Sequence, residues 1–165
     1  MSSRCHLGCP RRWQGGLAMV ELVMTAPILL LLLFGTVVFG EWLIQYSILN
    51  DAVRDAARYV AGAALNGTTG TLVQGAAWTT LVNQGQNLAV YGNVNGNASG
   101  TATPMLPGLT VANISVAEDT TNFNITVSTT GYTYQSLFGA SMPSFFGGTI
   151  ATNFTLSIST TMRAL

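Results

Sequence analysis

Hydrophobic and polar positions change rhythm three times along the chain. From Leu22 to Gly40 there are 19 residues without a charge. At about 1.5 Å rise per residue a helix of that length covers roughly 28 Å, close to the ~30 Å hydrocarbon core of a bilayer. From Trp42 to Val60 the pattern becomes amphipathic: Trp42, Leu49, Ala52, Val53, Ala56, Ala57 and Val60 recur at helical spacing. Asp51, Arg54, Asp55 and Arg58 fall at i, i+3, i+4 and i+7 and share the opposite, polar face. Together these patterns predict one helix over 17–63, roughly 70 Å long. Its membrane span covers about 22–40, and its amphipathic extension, 41–63, offers an apolar stripe to pack on.

Past Gly62 the chain turns polar, rich in Thr, Asn, Gly and Ser. Residues 66–70 read as a linker, and Thr71-Leu72-Val73-Gln74 has the form of a capping box that would open a second helix. Val73, Ala77 and Leu81, with Trp78 and Val82, would give that helix a stripe, although Gly75 and Gly85 each cost about 1 kcal/mol relative to Ala. Residues 92–108 are loop by composition. The last third alternates with the period of half-buried strands, near 109–116, 123–130 and 150–160, with a bulge near Ala112 or Asn113 and a turn at 118–121. The expected fold class is α+β: a long N-terminal helix whose outer half packs on a small antiparallel sheet within a Thr/Asn-rich head, 64–165.

Charge gives this layout a direction. Charged residues are only 7% of the chain, far below the roughly 25% of soluble domains. All six basic residues are arginines, and Arg4, Arg11 and Arg12 precede the apolar run with no acid among them. Positive flanks stay on the cytoplasmic side. The N-terminus is therefore expected inside the cytoplasmic (inner) membrane and the head outside it, periplasmic or extracytoplasmic. Asp51 and Asp55 offset Arg54 and Arg58 on the far flank. No basic face exists to neutralise phosphates, so nucleic acid is not an expected partner. A secretory signal would have a shorter apolar region with a small-residue site directly after it, whereas Ala61-Gly62-Ala63 lies beyond a charged helical stretch.

Two residues do not suit an inert anchor. Glu21 stands at the start of the apolar run, where a buried carboxylate is costly and needs a partner. Pro27 removes one backbone hydrogen bond and is expected to kink the helix.

Arg11-Arg12-Trp13-Gln14-Gly15-Gly16, followed by Leu17-Ala18-Met19-Val20-Glu21-Leu22 and a long apolar helix, resembles the leader and first helix of type IV pilin-like proteins. With Pro27, Phe39-Gly40 and Ala52-Val53-Arg54-Asp55-Ala56-Ala57-Arg58-Tyr59, the set looks like the TadE-like proteins, minor pseudopilins of the tight-adherence (Flp) pilus system. The resemblance covers about Gly15 to Val60, and the family more often has Phe or Tyr where Leu22 stands. It implies cleavage of the 1–16 leader by a prepilin peptidase between Gly16 and Leu17, with Glu21 as the fifth residue of the mature chain. It also implies that Glu21 neutralises a neighbouring subunit's new α-amino group during assembly. The implied partners are the peptidase, other pilins or pseudopilins with their assembly platform, and membrane lipid.

Chemistry is otherwise sparse. The single histidine, His6, lies in the leader, and the only acids beyond Arg58 are the adjacent Glu118 and Asp119. No acid–base pair or activated nucleophile can be assembled from these, so the chain is not expected to be an enzyme or to need a cofactor. Cys5, His6 and Cys9 offer three potential ligands where a structural zinc site takes four. Five N-x-S/T triplets, at Asn66, Asn97, Asn113, Asn124 and Asn153, follow from composition, the alternative being glycosylation in a host that modifies external proteins at such acceptors. Tyr132, Tyr134, Phe138, Phe145 and Phe146 form an aromatic group that is either core or a contact patch. The alternative to a processed pseudopilin is an uncleaved single-pass anchor whose head binds an envelope component or a surface.

Overall fold

A computed structural model describes residues 14–137, 139, 141–144 and 148–165. Helix α1 is continuous from Gln14 to Ala63, through Pro27. The chain divides into two compact units, one up to Val37 and one from Val38 to Leu165. Within the first, the described residues are all helical, and most of their apolar side chains are exposed, among them Val23, Ile28, Leu29 and Leu32. Among the described residues this part of the helix has no apolar partner, and it is long and apolar enough to cross a membrane.

The second unit holds the core. Leu49, Val53, Ala56, Ala57, Val60 and Ala61 of α1 are buried in one cluster with residues of the sheet and of a second helix. Asp51, Arg54, Asp55 and Arg58 lie exposed on the opposite face, and none forms an ion pair among the described residues.

The second helix, α2, spans Ala76–Tyr91 and starts later than the capping box predicts. Gly75 occupies its N-cap with no side-chain hydrogen bond. The reason is a competing pairing upstream. The Val73 N–H donates to the Ala64 carbonyl at 2.8 Å, Leu65 bridges Leu72, and the Asn66 N–H donates to Thr71 at 2.9 Å. Residues 66–71 are therefore a closed turn rather than an open linker, with the Asn66 side chain accepting from the Thr68 N–H at 3.0 Å. Leu81, Gly85, Ala89 and Val90 form the buried face of α2, while Ala77 is exposed. Gly92 ends the helix in the left-handed conformation that a glycine adopts without strain.

Gly85 marks where α2 meets α1. A methyl group built on its Cα would lie 2.5 Å from Cγ2 of Val60, closer than side chains approach. The glycine that weakens α2 as an isolated helix is the residue that lets it pack.

A three-stranded antiparallel sheet runs in the order β1 (Ile114–Asp119), β2 (Asn124–Thr129), β7 (Ser159–Arg163). Register puts Ile114 opposite Thr129, Val116 opposite Val127 and Glu118 opposite Ile125. Across the other edge of β2, Val127 meets Thr160 and Ile125 meets Met162. The inner face is therefore apolar at its centre. The outer face consists of Ser115, Ser128 and Ser159, then Ala117, Thr126 and Thr161, then Asp119, Asn124 and Arg163. α2 packs beside β1, tied by Gln86 Nε2 donating to the Ile114 carbonyl at 2.8 Å. Both helices thus cover the sheet, where the sequence pointed to α1 alone.

The bulge expected near 112–113 is instead a 3₁₀ turn, Val111–Asn113. Asn113 Oδ1 accepts from the Thr110 N–H at 3.0 Å and from the Thr110 hydroxyl at 2.7 Å, an arrangement that competes with strand pairing, so β1 begins only at Ile114. β1 then continues to Asp119, inside the segment expected to turn.

The strand expected over 150–160 is three pieces. β5 (Gly148–Ala151) pairs with β4 (Ser141–Ser144), β6 (Thr155–Leu156) pairs with β3 (Tyr132–Thr133), and β7 joins the main sheet. The change of partner between β6 and β7 is managed by buried Thr129. Its hydroxyl accepts from the Ile158 N–H at 2.8 Å, and its own N–H donates to the Ile158 carbonyl at 2.8 Å. That pair satisfies the backbone where the ladder breaks.

Candidate functional site

Gly16 lies within α1, two residues after the first described residue, Gln14. A side chain built on Gly16 would meet nothing within 4 Å, and its φ is not in the left-handed region. Among the described residues, nothing in the packing requires glycine there. Leu17 follows it in the helix.

Glu21 is exposed, and its carboxylate makes no hydrogen bond among the described residues. Its main chain is engaged instead: the Thr25 hydroxyl donates to the Glu21 carbonyl at 2.9 Å. Two residues on, Pro27 lacks the N–H that would have bonded the Val23 carbonyl. Residues 17 and 21 are four apart and lie on one face of the helix. Arg4, Cys5, His6, Cys9, Arg11 and Arg12 lie outside the described residues, as do Phe138, Phe145 and Phe146. Among the described residues no group of His, Cys, Asp and Glu could hold a metal ion.

A polar cluster that the sequence reading assigned no role sits where the uncharged run of α1 ends. Glu41 Oε2 accepts from the Tyr134 hydroxyl at 2.9 Å and from the Leu137 N–H at 3.2 Å. The same hydroxyl reaches the Val38 carbonyl at 3.4 Å. One turn on, Gln45 Nε2 donates to the Gln135 carbonyl at 3.0 Å, and Gln45 Oε1 accepts from the Tyr132 hydroxyl at 3.2 Å. Both tyrosines are almost wholly buried, so two of the five aromatics grouped by sequence are core. Burial raises the Tyr134 phenol above its ordinary pKa, and the hydrogen bond to Glu41 adds to the effect. Burial alone raises Tyr132. The signal was present in the spacing: Glu41 and Gln45 are four apart on a helix, and Tyr132 and Tyr134 two apart on an extended segment, so each pair shares a face. Beside this cluster, Phe39, Trp42 and Tyr46 stack along α1 with ring centroids 5.7 and 5.6 Å apart.

These features define a class: an α+β protein carrying, among the described residues, one helix long and apolar enough to cross a membrane. The family model of TadE-like proteins matches residues 16–58, all within α1, so over this stretch the chain is similar to TadE-like proteins. No curated protein and no solved structure matches the chain.

Proposed function

We propose that this chain is a minor pseudopilin of the Tad (Flp) adhesive pilus. In this reading it is inserted with its N-terminus in the cytoplasm and its head outside the inner membrane. A prepilin peptidase removes residues 1–16, and the mature chain then takes part in initiating or assembling the filament with other pilins and their platform. It is a structural interaction protein and not an enzyme.

The observation that carries the reading is the register of the family match, which begins at residue 16, the glycine after which the cut is expected. The absence of any described neighbour within 4 Å of a side chain built on Gly16 supports it, because a glycine that the described fold does not need suits a cleft that must approach the backbone closely. Exposed Glu21, whose carboxylate has no partner among the described residues, supports an intermolecular role for it.

Gly16→Leu tests this directly. The substitution has room in the fold, so insertion and the head should be unchanged while peptidase-dependent loss of the leader disappears. Intact mass of the extracted protein reads the result, and cleavage of the variant at the wild-type rate would contradict the assignment.

A further inference from the structure

Half of the charged residues beyond Gly40 lie within a short stretch of one helix. Glu41, Glu118, Asp119 and Arg163 are scattered, whereas Asp51, Arg54, Asp55 and Arg58 share the outward face of α1. All four are exposed. Asp51 and Arg54, and likewise Asp55 and Arg58, are neighbours on the helix surface, yet no ion pair forms between them among the described residues. The stripe is neutral as a whole, and each of its charges is open to a partner from outside.

The same face continues toward the start of the second unit. Leu43 on it is 46% exposed and Ile44 62%. A side chain built on Gly40 would meet nothing within 4 Å, so the described fold does not need glycine there. The core lies on the opposite side of the helix, at Leu49, Val53, Ala56 and Val60. Residues 40, 44, 47, 51, 54 and 58 follow the alternating steps of four and three that one helix presents to another.

A helix laid on this face has to set acid against base, and the chain's own stripe does so in one register. Side by side without offset, Asp51, Arg54 and Arg58 each stand level with their own copies, and like charges repel. Offset by three residues in the same direction, about 4.5 Å, Arg54 comes level with the partner's Asp51 and Arg58 with the partner's Asp55. That offset also sets Leu43 against the partner's Gly40 and Ser47 against the partner's Ile44, large against small each time. An offset of four returns Asp55 to the level of the partner's Asp51. In the opposite direction the charges match, Asp51 with the partner's Arg58 and Arg54 with its Asp55. Leu43 and Ile44 then run past Ala63, where the partner's helix ends, and lose their cover.

We propose that this face of α1 docks on the same face of a second copy of the chain, the two helices parallel and offset by three residues, with Arg54 and Arg58 of one copy against Asp51 and Asp55 of the other. Charge complementarity names the occupant, because the stripe is its own complement at that offset. The division of labour follows from magnitudes: exposed ion pairs add little affinity and mainly choose the register, while burial of Leu43 and Ile44 supplies the attraction. The proposal deepens the reading of the chain as a structural interaction protein by naming a surface and a partner, and it does not depend on removal of residues 1–16.

The test uses the full chain with Cys5 and Cys9 changed to Ser, in membranes and without a prepilin peptidase. Two copies carrying tags of different size are co-expressed, one with Ile44→Cys and the other with Ser47→Cys, and disulfide formation is driven with copper phenanthroline. Both positions are exposed, and neither substitution touches the charges. The expected result is a 44–47 cross-link formed several-fold more than 47–47 when both copies carry Ser47→Cys. With Arg54→Asp and Arg58→Asp in both copies, or Asp51→Arg and Asp55→Arg in both, the 44–47 product should fall several-fold. Co-expressing one copy of each kind should restore it, which shows that the variants still fold.

A dominant 47–47 product means an unshifted pair and overturns the proposal. So does a dominant 47–62 product with Gly62→Cys, which means an antiparallel pair. Cross-linking unchanged by either charge reversal, or absent in every combination, overturns it as well. Processing is read separately by intact mass, so a failed cross-link with normal removal of the leader leaves the pseudopilin reading standing.

Discussion

Glu21→Ala should leave membrane insertion and removal of residues 1–16 largely intact and strongly reduce piliation. Cleavage after Gly16 would place a new α-amino group on Leu17, positively charged below a pKa of about 8. The Glu21 carboxylate has no partner among the described residues, and in a bundle of packed helices the amine and the carboxylate would each be buried without a counter-charge unless paired with the other across a subunit boundary. Removing one member of a buried pair costs about 3–5 kcal/mol, because the other charge remains desolvated and alone. That is about a hundredfold or more in an association equilibrium. Blocking the amine in the Glu21→Ala background should cost less than the single substitution predicts, since no lone charge is then left. Counting pili on cells that carry the variant and process it normally is the check, and normal piliation would remove the neutralisation role.

Gly85→Ala should destabilise the head, although alanine is the better helix former. The propensity gain is about 1 kcal/mol. Against it stands a methyl 2.5 Å from Cγ2 of Val60, a fully buried side chain on another helix. Valine in a helix has one strongly preferred rotamer, so it cannot swing away, and α1 or α2 must shift. Overpacking of this kind costs about 1–3 kcal/mol, leaving a net loss of ~1 kcal/mol, and larger residues such as Leu should do worse. The Val60→Ala partner change should recover part of the loss, which makes the pair a double-mutant cycle. Thermal unfolding of the detergent-solubilised full chain reads all three variants, and an unchanged or raised midpoint for Gly85→Ala would show that the helices do not meet there.

Legibility in the sequence followed the range of the forces involved. The apolar run, the amphipathic extension of α1 and the α+β layout come from periodicity, which is local and dominated by burial, and the TadE-like match covers that same stretch. The capping box at Thr71–Gln74 failed because pairing of Leu65 with Leu72 takes the same backbone for a longer-range contact. Phe154, Leu156 and Ile158 stay in one alternating phase, so nothing in the pattern reveals that the chain changes strand partners between them. Thr129 falls in the inward phase of Ile125 and Val127, but nothing in the pattern reveals that its hydroxyl accepts from the Ile158 N–H where the partner changes. Gly85 carried the opposite lesson: its propensity cost was visible, its contact with Val60 was not. Of the candidate site, Gly16 and Glu21 were legible as an ordered motif, whereas the Glu41–Tyr134 contact joins residues 93 apart in the chain and needs the fold to be seen.

The most direct test of the central claim is the intact mass of the wild-type chain extracted from membranes, expressed with and without a prepilin peptidase. The pseudopilin account predicts full-length protein without the enzyme and, with it, a species lacking Met1 to Gly16 and beginning at Leu17. A full-length chain under both conditions would contradict it and leave an uncleaved membrane anchor with a binding head.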